Sequence, residues 1–594
     1  MLGSKYTLRG ATGLRAIPRA VVSALIGAGL SAFALTPTPT LATGRVASLA
    51  VNPASGAPGA ALTVNGTGFT KASPVVLTWG GSPAGMPQVN ALANGSFTAA
   101  VTVPNQAAGT YIIAASDGAN IAALAVQIMA TTTPTPSPTP SPSPTPLPSP
   151  TPLPSPTPSA TTTSRTYYVS PTGSDANPGS VDQPWASFYH AAGTLQAGDT
   201  AIFADGTYTE TQYRSYTAFA NSGSGTPGQA DYLPITIRAA NPRKAMLNFT
   251  NKPGGVNSTA VWIGTSDPSY ARKNIVIRDL VFTQPTMGSN YSDGLVRCWV
   301  GSDNCQLIGN VFQNAYEPVK FSGNTGSMLD GNLFMAANVH FGAFGANKPV
   351  IRYNEFQNPT DSAIQTKGGT TDAQVYGNLI HSLGGGPAML VGMYLGGGSC
   401  GSPCGVTNVQ TGFEGDHVVA WDNTIAGSST APAAYGGIVI EGCNMCTAAN
   451  NNVLNATVSI RIISNAGWPQ PDGSTRYVPS VSPMVQDQIT SGCTYPVFYS
   501  GGPTPATNDL VGAATIDYND FYACGSYGLP KMAHPVVGNP QFVDPLSDWH
   551  LVAGSPAIGT GTIVSATDSS GRVLNLAFTR DGQARSTPWD LGNY

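Results

Sequence analysis

Charged side chains are scarce in this chain of 594 residues. Lys, Arg, Asp and Glu make up 9% of it, and the net charge is −4. Proteins that bind nucleic acid usually carry a basic patch or stripe, so the composition argues against that class of partner. Glycine and proline are instead abundant, at 69 and 50 residues. This composition favours many short strands joined by turns over long helices.

Long apolar runs are also lacking beyond the N-terminus. The longest run covers residues 20–35, and small residues at Thr40 and Ala42 follow it. Four basic residues precede it: Lys5, Arg9, Arg15 and Arg19. The run is short for a membrane span, and the order of basic, apolar and small residues is typical of a secretory signal. We predict a signal peptide over 1–42, an uncleaved anchor being the alternative, and a secreted or cell-surface protein without a membrane span after cleavage.

Cysteine is missing from the first 297 residues. All eight cysteines lie in the C-terminal half, at positions 298, 305, 400, 404, 443, 446, 493 and 524. In an exported protein an even count predicts disulfides, although the sequence leaves their pairing open. The alternative is a zinc site that takes four thiolates from Cys400, Cys404, Cys443 and Cys446, which an oxidising compartment disfavours.

A repeat occupies the middle of the chain. Four segments share one pattern, in which an Asn is preceded at −3 and followed at +2 by apolar residues: 305–312, 327–334, 349–356 and 373–380. Their asparagines, Asn310, Asn332, Asn354 and Asn378, are 22, 22 and 24 residues apart. A period of this length indicates stacked supersecondary units. Asn423, Asn452 and Asn519 extend the pattern, and Leu280 takes the Asn position of an earlier unit.

The pattern predicts the geometry of each unit. Alternation before the Asn is typical of a strand with one buried face, and Asn tolerates the left-handed conformation of a tight bend. Stacked about 4.8 Å apart, the units would form a three-faced solenoid of about 22 residues per coil, with a ladder of asparagines. The interval from 378 to 423 then corresponds to two coils, and that from 452 to 519 to about three.

Two other regions precede the repeat. Residues 44–130 contain short alternating strands at regular spacing, which predicts an antiparallel β-sandwich. The segments 53–59 and 64–69 resemble bacterial immunoglobulin-like modules of the IPT/TIG type, and we expect a spacer or a carbohydrate-binding module there. Residues 131–164 form a linker with proline at every second position from Pro134 to Pro158. In polyproline II geometry those positions span roughly 80 Å.

The large domain, 165–594, resembles secreted right-handed parallel β-helix proteins at both ends. The segments 165–179, 183–188 and 197–208 resemble the N-terminal cap and first coil of that family. The segments 539–551, 554–558 and 589–594 resemble the closing region known as a choice-of-anchor segment, so we expect a cap from about 531. The resemblance implies an all-β chain: a right-handed parallel β-helix plus the small immunoglobulin-like sandwich.

The candidate catalytic segment is 361–370. Its phrase Ile364-Gln-Thr-Lys367-Gly-Gly resembles the lysine segment of β-helix alginate and chondroitin lyases, which implies Lys367 as a catalytic base. That family also uses an Arg one coil later and Ca²⁺ held by acidic residues, but here the Arg stretch reads Val391-Gly-Met-Tyr394. Lys320, Arg352 and His381 are further candidates for the groove. Hard oxygen ligands suit Ca²⁺, which makes Asp361, Glu317 and Glu355 the candidate metal ligands.

Three classes of function remain open at this stage. Elimination from a uronate needs its carboxylate charge neutralised and a base aimed at the C5 proton. Glycoside hydrolysis needs two carboxylates at a set separation, and four scattered acids are candidates: Asp293, Glu414, Asp416 and Glu441. The third class is a non-catalytic adhesin. We favour a monomeric extracellular lyase that acts on an acidic, uronate-containing polysaccharide.

Overall fold

The computed structural model describes residues 48–128 and 164–592, apart from short gaps. The gaps are 54, 80–85, 105–108, 117–120, 211–216, 251–258, 266, 289–292, 336, 383–388, 398–411, 428–431, 466–467, 470–474, 477, 501, 503, 507–508, 546 and 582. The predicted signal peptide and linker residues 131–163 lie outside the described residues. The chain divides into two compact units, 1–142 and 143–594.

The N-terminal unit consists of two small β-sheets that share one core. The first contains Ser48–Asn52, Ala61–Thr67 and Phe97–Thr102, and the second contains Ser55–Gly56, Ile121–Ile128, Gly109–Ser116, Pro74–Trp79 and Gln88–Asn90. Alternate residues of the strands point inward, so that Leu62 and Val64 of the first sheet pack with Leu77 and Trp79 of the second. The immunoglobulin-like assignment of this unit stays a prediction.

The large unit is built from three long parallel sheets, named here in the order in which the chain enters them. The first sheet contains Thr166–Val169, Thr200–Phe203, Ile235–Ala239, Ile275–Arg278, Gln306–Ile308, Met328–Asp330, Val350–Arg352, Gln374–Tyr376, Val419–Trp421, Thr447–Ala449, Met484–Gln486 and Thr515–Asp517. The second contains Gly206–Glu210, Ala245–Phe249, Val281–Thr283, Val311–Gln313, Leu333–Met335, Glu355–Gln357, Leu379–His381, Thr424–Ala426, Asn452–Leu454, Ile489–Ser491 and Asp520–Tyr522. The third contains Val261–Ile263, Val296–Cys298, Val319–Ser322, Val339–Phe344, Ser362–Lys367, Val391–Gly396, Gly436–Glu441, Val458–Ile463 and Tyr495–Phe498.

Shorter elements complete the described part of the large unit. A fourth, short parallel sheet contains Thr370–Thr371, Gly415–Asp416, Cys443–Asn444, Ser480–Val481 and Leu510–Val511. Two hairpins pair Trp468–Pro469 with Thr475–Arg476 and Phe542–Asp544 with Asp548–Leu551, and a 3₁₀ turn covers Pro268–Tyr270. Neighbouring strands of the long sheets come from successive coils, which confirms the predicted all-β parallel β-helix.

An α-helix, Phe188–Thr194, covers the first coils, where the cap was expected. Its N-terminus is capped by Ser187, whose hydroxyl accepts from the His190 backbone N–H. Phe188 is fully buried, and its ring lies 6.2–6.5 Å from those of Phe219 and Phe249. The helix therefore covers apolar side chains that an open end of the solenoid would expose to water.

The core consists of columns of apolar side chains. Phe282, Phe312, Phe334 and Phe356 occupy equivalent positions in four successive coils of the second sheet, and their rings stack at 4.8–5.2 Å. All four are fully buried. Burying each of them stabilises the fold by roughly 1.5–3 kcal/mol. The predicted inward direction of the +2 position is confirmed.

The asparagine ladder runs along one edge of this core. The side-chain carbonyl of Asn354 accepts from the backbone N–H and the Nδ2 of Asn332, and its own Nδ2 donates to Leu329 O and to Asn378 Oδ1. The same pattern links Asn310, Asn332, Asn378 and Asn423. Each rung thus satisfies buried polar groups that would each cost about 1–3 kcal/mol if left unpaired.

Two details of the predicted ladder were wrong. The left-handed residue is the one before the Asn, such as Gly309, Tyr353 or Asp422, because the Asn side chain itself must point inward to form the ladder. In the coil predicted around Asn452, the ladder residue is Asn451, which accepts from Asn423. Three consecutive asparagines permit a shift of one residue, and Ala448 rather than Ala449 is paired with the inward Ala420.

The predicted number of coils was also wrong in two intervals. Asn378 bonds directly to Asn423, so these 45 residues form one coil with a long insertion, not two coils. Between Asn451 and Asn519, Gln488 takes the ladder position, accepting from Asn451 N and donating its backbone N–H to Asn519. That interval therefore contains two coils and not three. A coil can carry a loop without changing its place in the stack, so sequence spacing alone does not count coils.

The C-terminal segment follows the last coil and then runs back along the outside of the solenoid. Val536 pairs with Asp520 beside the last strand of the second sheet. Farther on, Arg585 forms a buried ion pair with Asp422, and Ser569 donates to Asp372. The segment predicted as a cap from about 531 thus also fastens the outer side of several coils.

Three disulfides join described cysteines: Cys298–Cys305, Cys443–Cys446 and Cys493–Cys524. Because Cys443 and Cys446 are bonded to each other, they do not supply the thiolates of the alternative zinc site. Cys400 and Cys404 lie outside the described residues. Within the described ranges, no helix has the length and apolar character needed to cross a membrane.

Candidate active site

The outer face of the third sheet carries a group of charged and aromatic side chains. Side chains alternate across a strand, so a residue next to an inward-facing residue such as Phe321 or Ile364 points outward. The register places one outward residue of each strand in a single row: Trp262, Arg297, Lys320, Gly342, Gln365, Tyr394, Val439, Arg461 and Phe498. Nine strands at the usual spacing give a face about 38 Å long.

Glu317 joins two cations near the start of this row. Its Oε2 lies 3.3 Å from Arg297 Nη2 and 3.3 Å from Lys320 Nζ. The carboxylate is almost fully buried, and the Lys320 ammonium lies 5.2 Å from the centre of the Phe344 ring. A carboxylate at this depth requires such partners, because an unpaired buried charge is strongly unfavourable.

Burial lowers the pKa of Lys320. The positive charges of Arg297 and Lys367 lower it further, while Glu317 opposes the shift. Lys367 is paired with Phe344 in the adjacent strand, and the Phe344 ring lies beside the Lys320 ammonium. An amine near other cations and away from water is more readily neutral, which is the property that a lysine base needs.

Glu441 lies beyond Lys367 on the same face. Its pKa is raised to about 7 by burial and by the neighbouring charge of Glu414, while Lys367 and Arg461 partly oppose the shift. Glu414 is held in place, because its oxygens accept from Gly368 N and Asn465 Nδ2. Glu441 thus keeps a proton to a higher pH than an ordinary glutamate, as a general acid must.

Gly397 lies beside Lys367, and its backbone N–H donates to the Glu441 backbone oxygen at 2.9 Å. A side chain at Gly397 would lie 3.4 Å from Cβ and Cδ of Lys367 and 3.7 Å from the Tyr394 ring. Tyr394 and Tyr435 pack on an apolar floor formed by Val391, Val439 and Ile463. Aromatic rings above an apolar floor, with charged groups at the margin, suit the mixed polar and apolar surface of a sugar ring.

The structure brings together three of the residues predicted from the sequence and separates the others. Lys367, Lys320 and Glu317 lie together on the third sheet. Arg352 belongs to the first sheet, where its guanidinium binds Asp330 and the Tyr376 hydroxyl. His381 and Glu355 belong to the second sheet and bond to each other at 3.0 Å. Asp361 precedes the strand that ends at Lys367.

The predicted Ca²⁺ ligands do not form one site. Glu317 is on the third sheet and is already bonded to two cations, while Glu355 is on the second sheet. Among the described residues, no group of three or more His, Cys, Asp and Glu side chains could hold a metal ion. Asp361, Glu317 and Glu355 therefore do not fit a shared cation.

Sequence reasoning missed several residues of this face, although a usable signal was present. Arg297 and Arg461 were missed, although each stands between two buried apolar residues of a third-sheet strand, as the predicted Lys320 does. A single charge flanked by apolar neighbours indicates an outward residue on a strand whose other face is in the core. Tyr394 was also missed and carries no such signal, because a strand irregularity separates it from the regular repeat.

Comparison with known proteins identifies no family. No protein-family model matches the chain, and no curated protein matches it. Among solved structures it is similar to XylC in complex with xylose, at 9% identity and a TM-score of 0.45, covering 72% of this chain and 98% of that one. It is also similar to a rhamnogalacturonan lyase (15%, 0.38, 64% and 91%) and to a family 28 exopolygalacturonase from Yersinia enterocolitica (10%, 0.36, 85% and 97%). At such low identities and TM-scores the likeness carries no argument about activity or substrate.

Proposed function

We propose that this chain is an extracellular polysaccharide lyase that cleaves a uronate-containing glycan by β-elimination on the outer face of the third sheet. The observation that carries the proposal is that Lys367 lies on the same face of the third sheet as Glu441, a carboxyl whose pKa is raised to about 7. Such a pair supplies the base and the acid that elimination requires.

The charge of the face supports an anionic substrate. Arg297, Lys320 and Arg461 contribute positive charge, whereas Glu317 is paired with two of them and Glu441, with a pKa of about 7, is only partly charged at neutral pH. An excess of positive charge in a groove raises the local concentration of anions. It also stabilises the charge that develops on a uronate carboxylate when the neighbouring C5 proton leaves.

The bonding changes balance without a further reactant. The Lys367 amine nitrogen takes the C5 proton, and the electron pair of the broken C–H bond forms the C4–C5 double bond. The C4–O bond breaks, and the departing oxygen takes a proton from Glu441. The products are an unsaturated uronate and a new chain end. Lys320 and Arg297 neutralise the charge of the substrate carboxylate, which makes the C5 proton more acidic.

A glycoside hydrolase is the second candidate, and the same glutamate favours it. A carboxyl with a raised pKa also serves as the acid of an inverting or retaining hydrolase, which needs a second carboxylate across the scissile bond. Glu414, whose charge raises the pKa of Glu441, is buried. Its carboxylate accepts hydrogen bonds from Gly368 N and Asn465 Nδ2. It is therefore poorly suited to that role, and we favour elimination.

A polyuronate panel separates the candidate functions. We expect pectate, alginate or chondroitin to give products with the ultraviolet absorbance of an unsaturated uronate, and EDTA to leave this activity unchanged. New reducing ends without that absorbance would establish hydrolysis instead. Binding without any cleavage would support an adhesin and overturn the proposal.

A further inference from the structure

Arg461 lies in an aromatic cradle farther along the third sheet. Its guanidinium carbon is 4.0 Å from the centre of the Tyr435 ring and 5.1 Å from that of Phe498. Its Nε donates to Tyr435 O at 2.9 Å, which fixes the plane of the group. A guanidinium held between rings loses little conformational freedom when it binds a ligand.

The cradle leaves the outer nitrogens of Arg461 available. Within the described residues, no carboxylate lies within salt-bridge distance of Arg461, unlike Arg297, which binds Glu317. The residue is only partly buried. The terminal Nη groups of an arginine match the two oxygens of a carboxylate, so the cradle presents a preformed binding group for an anion.

The position of Arg461 relates it to the proposed catalytic centre. It occupies the same outward row as Gln365, three strands farther along the sheet. At the usual strand spacing this separates it from the Lys367 strand by about 14 Å. That distance is too great for both groups to bind one sugar ring, but a single extended chain lying along the sheet would reach both.

More aromatic rings continue beyond the cradle. The Tyr495 ring lies 5.0 Å from Phe498 and 5.8 Å from Tyr527, and Tyr527 is 56% exposed. Two half-buried rings and one exposed ring next to a cation provide stacking surface for the apolar faces of further sugars. The row therefore continues as a sugar-compatible surface on the far side of Arg461.

We propose that Arg461, held by Tyr435 and Phe498, binds the carboxylate of a second uronate in the same glycan chain, at a subsite separate from Lys367 and Glu441. This inference rests on the proposed function and adds to it a preference for substrates that are anionic at two positions. The cradle positions a remote part of the substrate, and the binding energy gained there holds the scissile bond at the catalytic centre.

The test compares Arg461→Ala, Arg461→Lys and the control Arg278→Ala, an exposed arginine on the outer face of the first sheet. For the polyuronate that the wild type cleaves, we expect Arg461→Ala to raise KM about tenfold or more while kcat changes little. Arg461→Lys should recover part of this loss, because it keeps the charge but not the two-point geometry. The smallest cleavable oligomer should show little effect, and Arg278→Ala none.

A binding measurement keeps the inference testable if cleavage is not observed. In a Lys367→Ala background, titration with pectate and with its methyl ester measures affinity without turnover. We expect Arg461→Ala to weaken binding of pectate and to leave the neutral ester unaffected. Equal losses of affinity for pectate and for its ester would mean that Arg461 only supports Tyr435 by packing, which would overturn the subsite. Unchanged affinity of Arg461→Ala for pectate, alginate and chondroitin would also overturn it. Absence of unsaturated product from the wild type would instead refute the lyase proposal alone.

Discussion

The carboxylate of Glu317 occupies the space above Gly342. A side chain at Gly342 would come within 2.6 Å of Glu317 Oε1. Gly342 lies between Lys320 and Gln365 in the outward row, so the missing side chain is what allows Glu317 to reach both Arg297 and Lys320. The absence of a side chain at Gly342 thus determines how Arg297 and Lys320 are paired.

Gly342→Ala should displace Glu317 toward the groove and repel an anionic substrate. Gly342 has an extended backbone, so alanine itself is tolerated there and the fold should persist. We expect kcat/KM on the cleaved polyuronate to fall about tenfold, a loss of about 1.4 kcal/mol in transition-state binding. Adding Glu317→Asp, which is shorter by one methylene, should recover part of the loss. A double mutant no better than Gly342→Ala would contradict this account.

Lys367→Ala should abolish elimination and leave the fold intact, because Lys367 ends a strand at the surface of the sheet. Removing a positioned base lowers the rate by about 10²–10⁴-fold. The matched control is Lys244→Ala, which removes an exposed lysine on a turn of the same solenoid. Initial rates followed by the absorbance of the unsaturated product measure both. Equal rates for the two variants would remove Lys367 from the mechanism.

The pH profile should report Glu441. Its protonated form is the active one, and its pKa is raised to about 7, so kcat/KM should fall as the pH rises through about 7. Glu441→Gln cannot donate a proton, so it should lose about 100-fold or more in rate and show no descending limb near that pH. Rates measured from about pH 5 to about pH 9 decide the point. A wild-type profile that keeps rising above neutrality would exclude Glu441 as the acid.

Stability should decrease from mildly acidic to alkaline pH. Burial raises the pKa values of four carboxyls to about 7: Glu210, Glu441, Asp487 and Asp520. Below its unfolded pKa each stays protonated in both states, and its stabilising effect is lost as the pH rises through the folded value. His340, whose pKa burial lowers to about 3, opposes this trend below its ordinary pKa, but it is one group against four.

Thermal unfolding checks this balance. We expect a melting temperature several degrees higher near pH 5 than near pH 8, since one pKa unit corresponds to about 1.36 kcal/mol. Asp487→Asn should reduce the difference between the two pH values, because the amide does not titrate. A melting temperature that rises steadily from pH 5 to pH 8 would show that other groups dominate.

The sequence by itself determined the parallel β-helix and the place of the lysines. Apolar residues at fixed offsets from Asn310, Asn332 and Asn354 specify which side chains enter the core, because a coil of constant length returns each position to the same face. The same rule places Lys320 and Lys367, because each lies on a strand of a coil that an Asn segment of the regular repeat follows. Each segment of eight residues therefore contains enough of the repeat to show which of its side chains enter the core.

Only the tertiary structure decided the rest of the site. Glu441 lies only two strands from Lys367 because the insertion between Asn378 and Asn423 belongs to a single coil. The side-chain pattern of the sequence does not show how many coils such a long interval contains. Arg352, His381 and Glu355 have outward positions like those of the lysines, but on other sheets, where they bind Asp330, Tyr376 and one another. Which face an outward residue occupies depends on where the backbone bends, and the pairing of strands from successive coils fixes those bends.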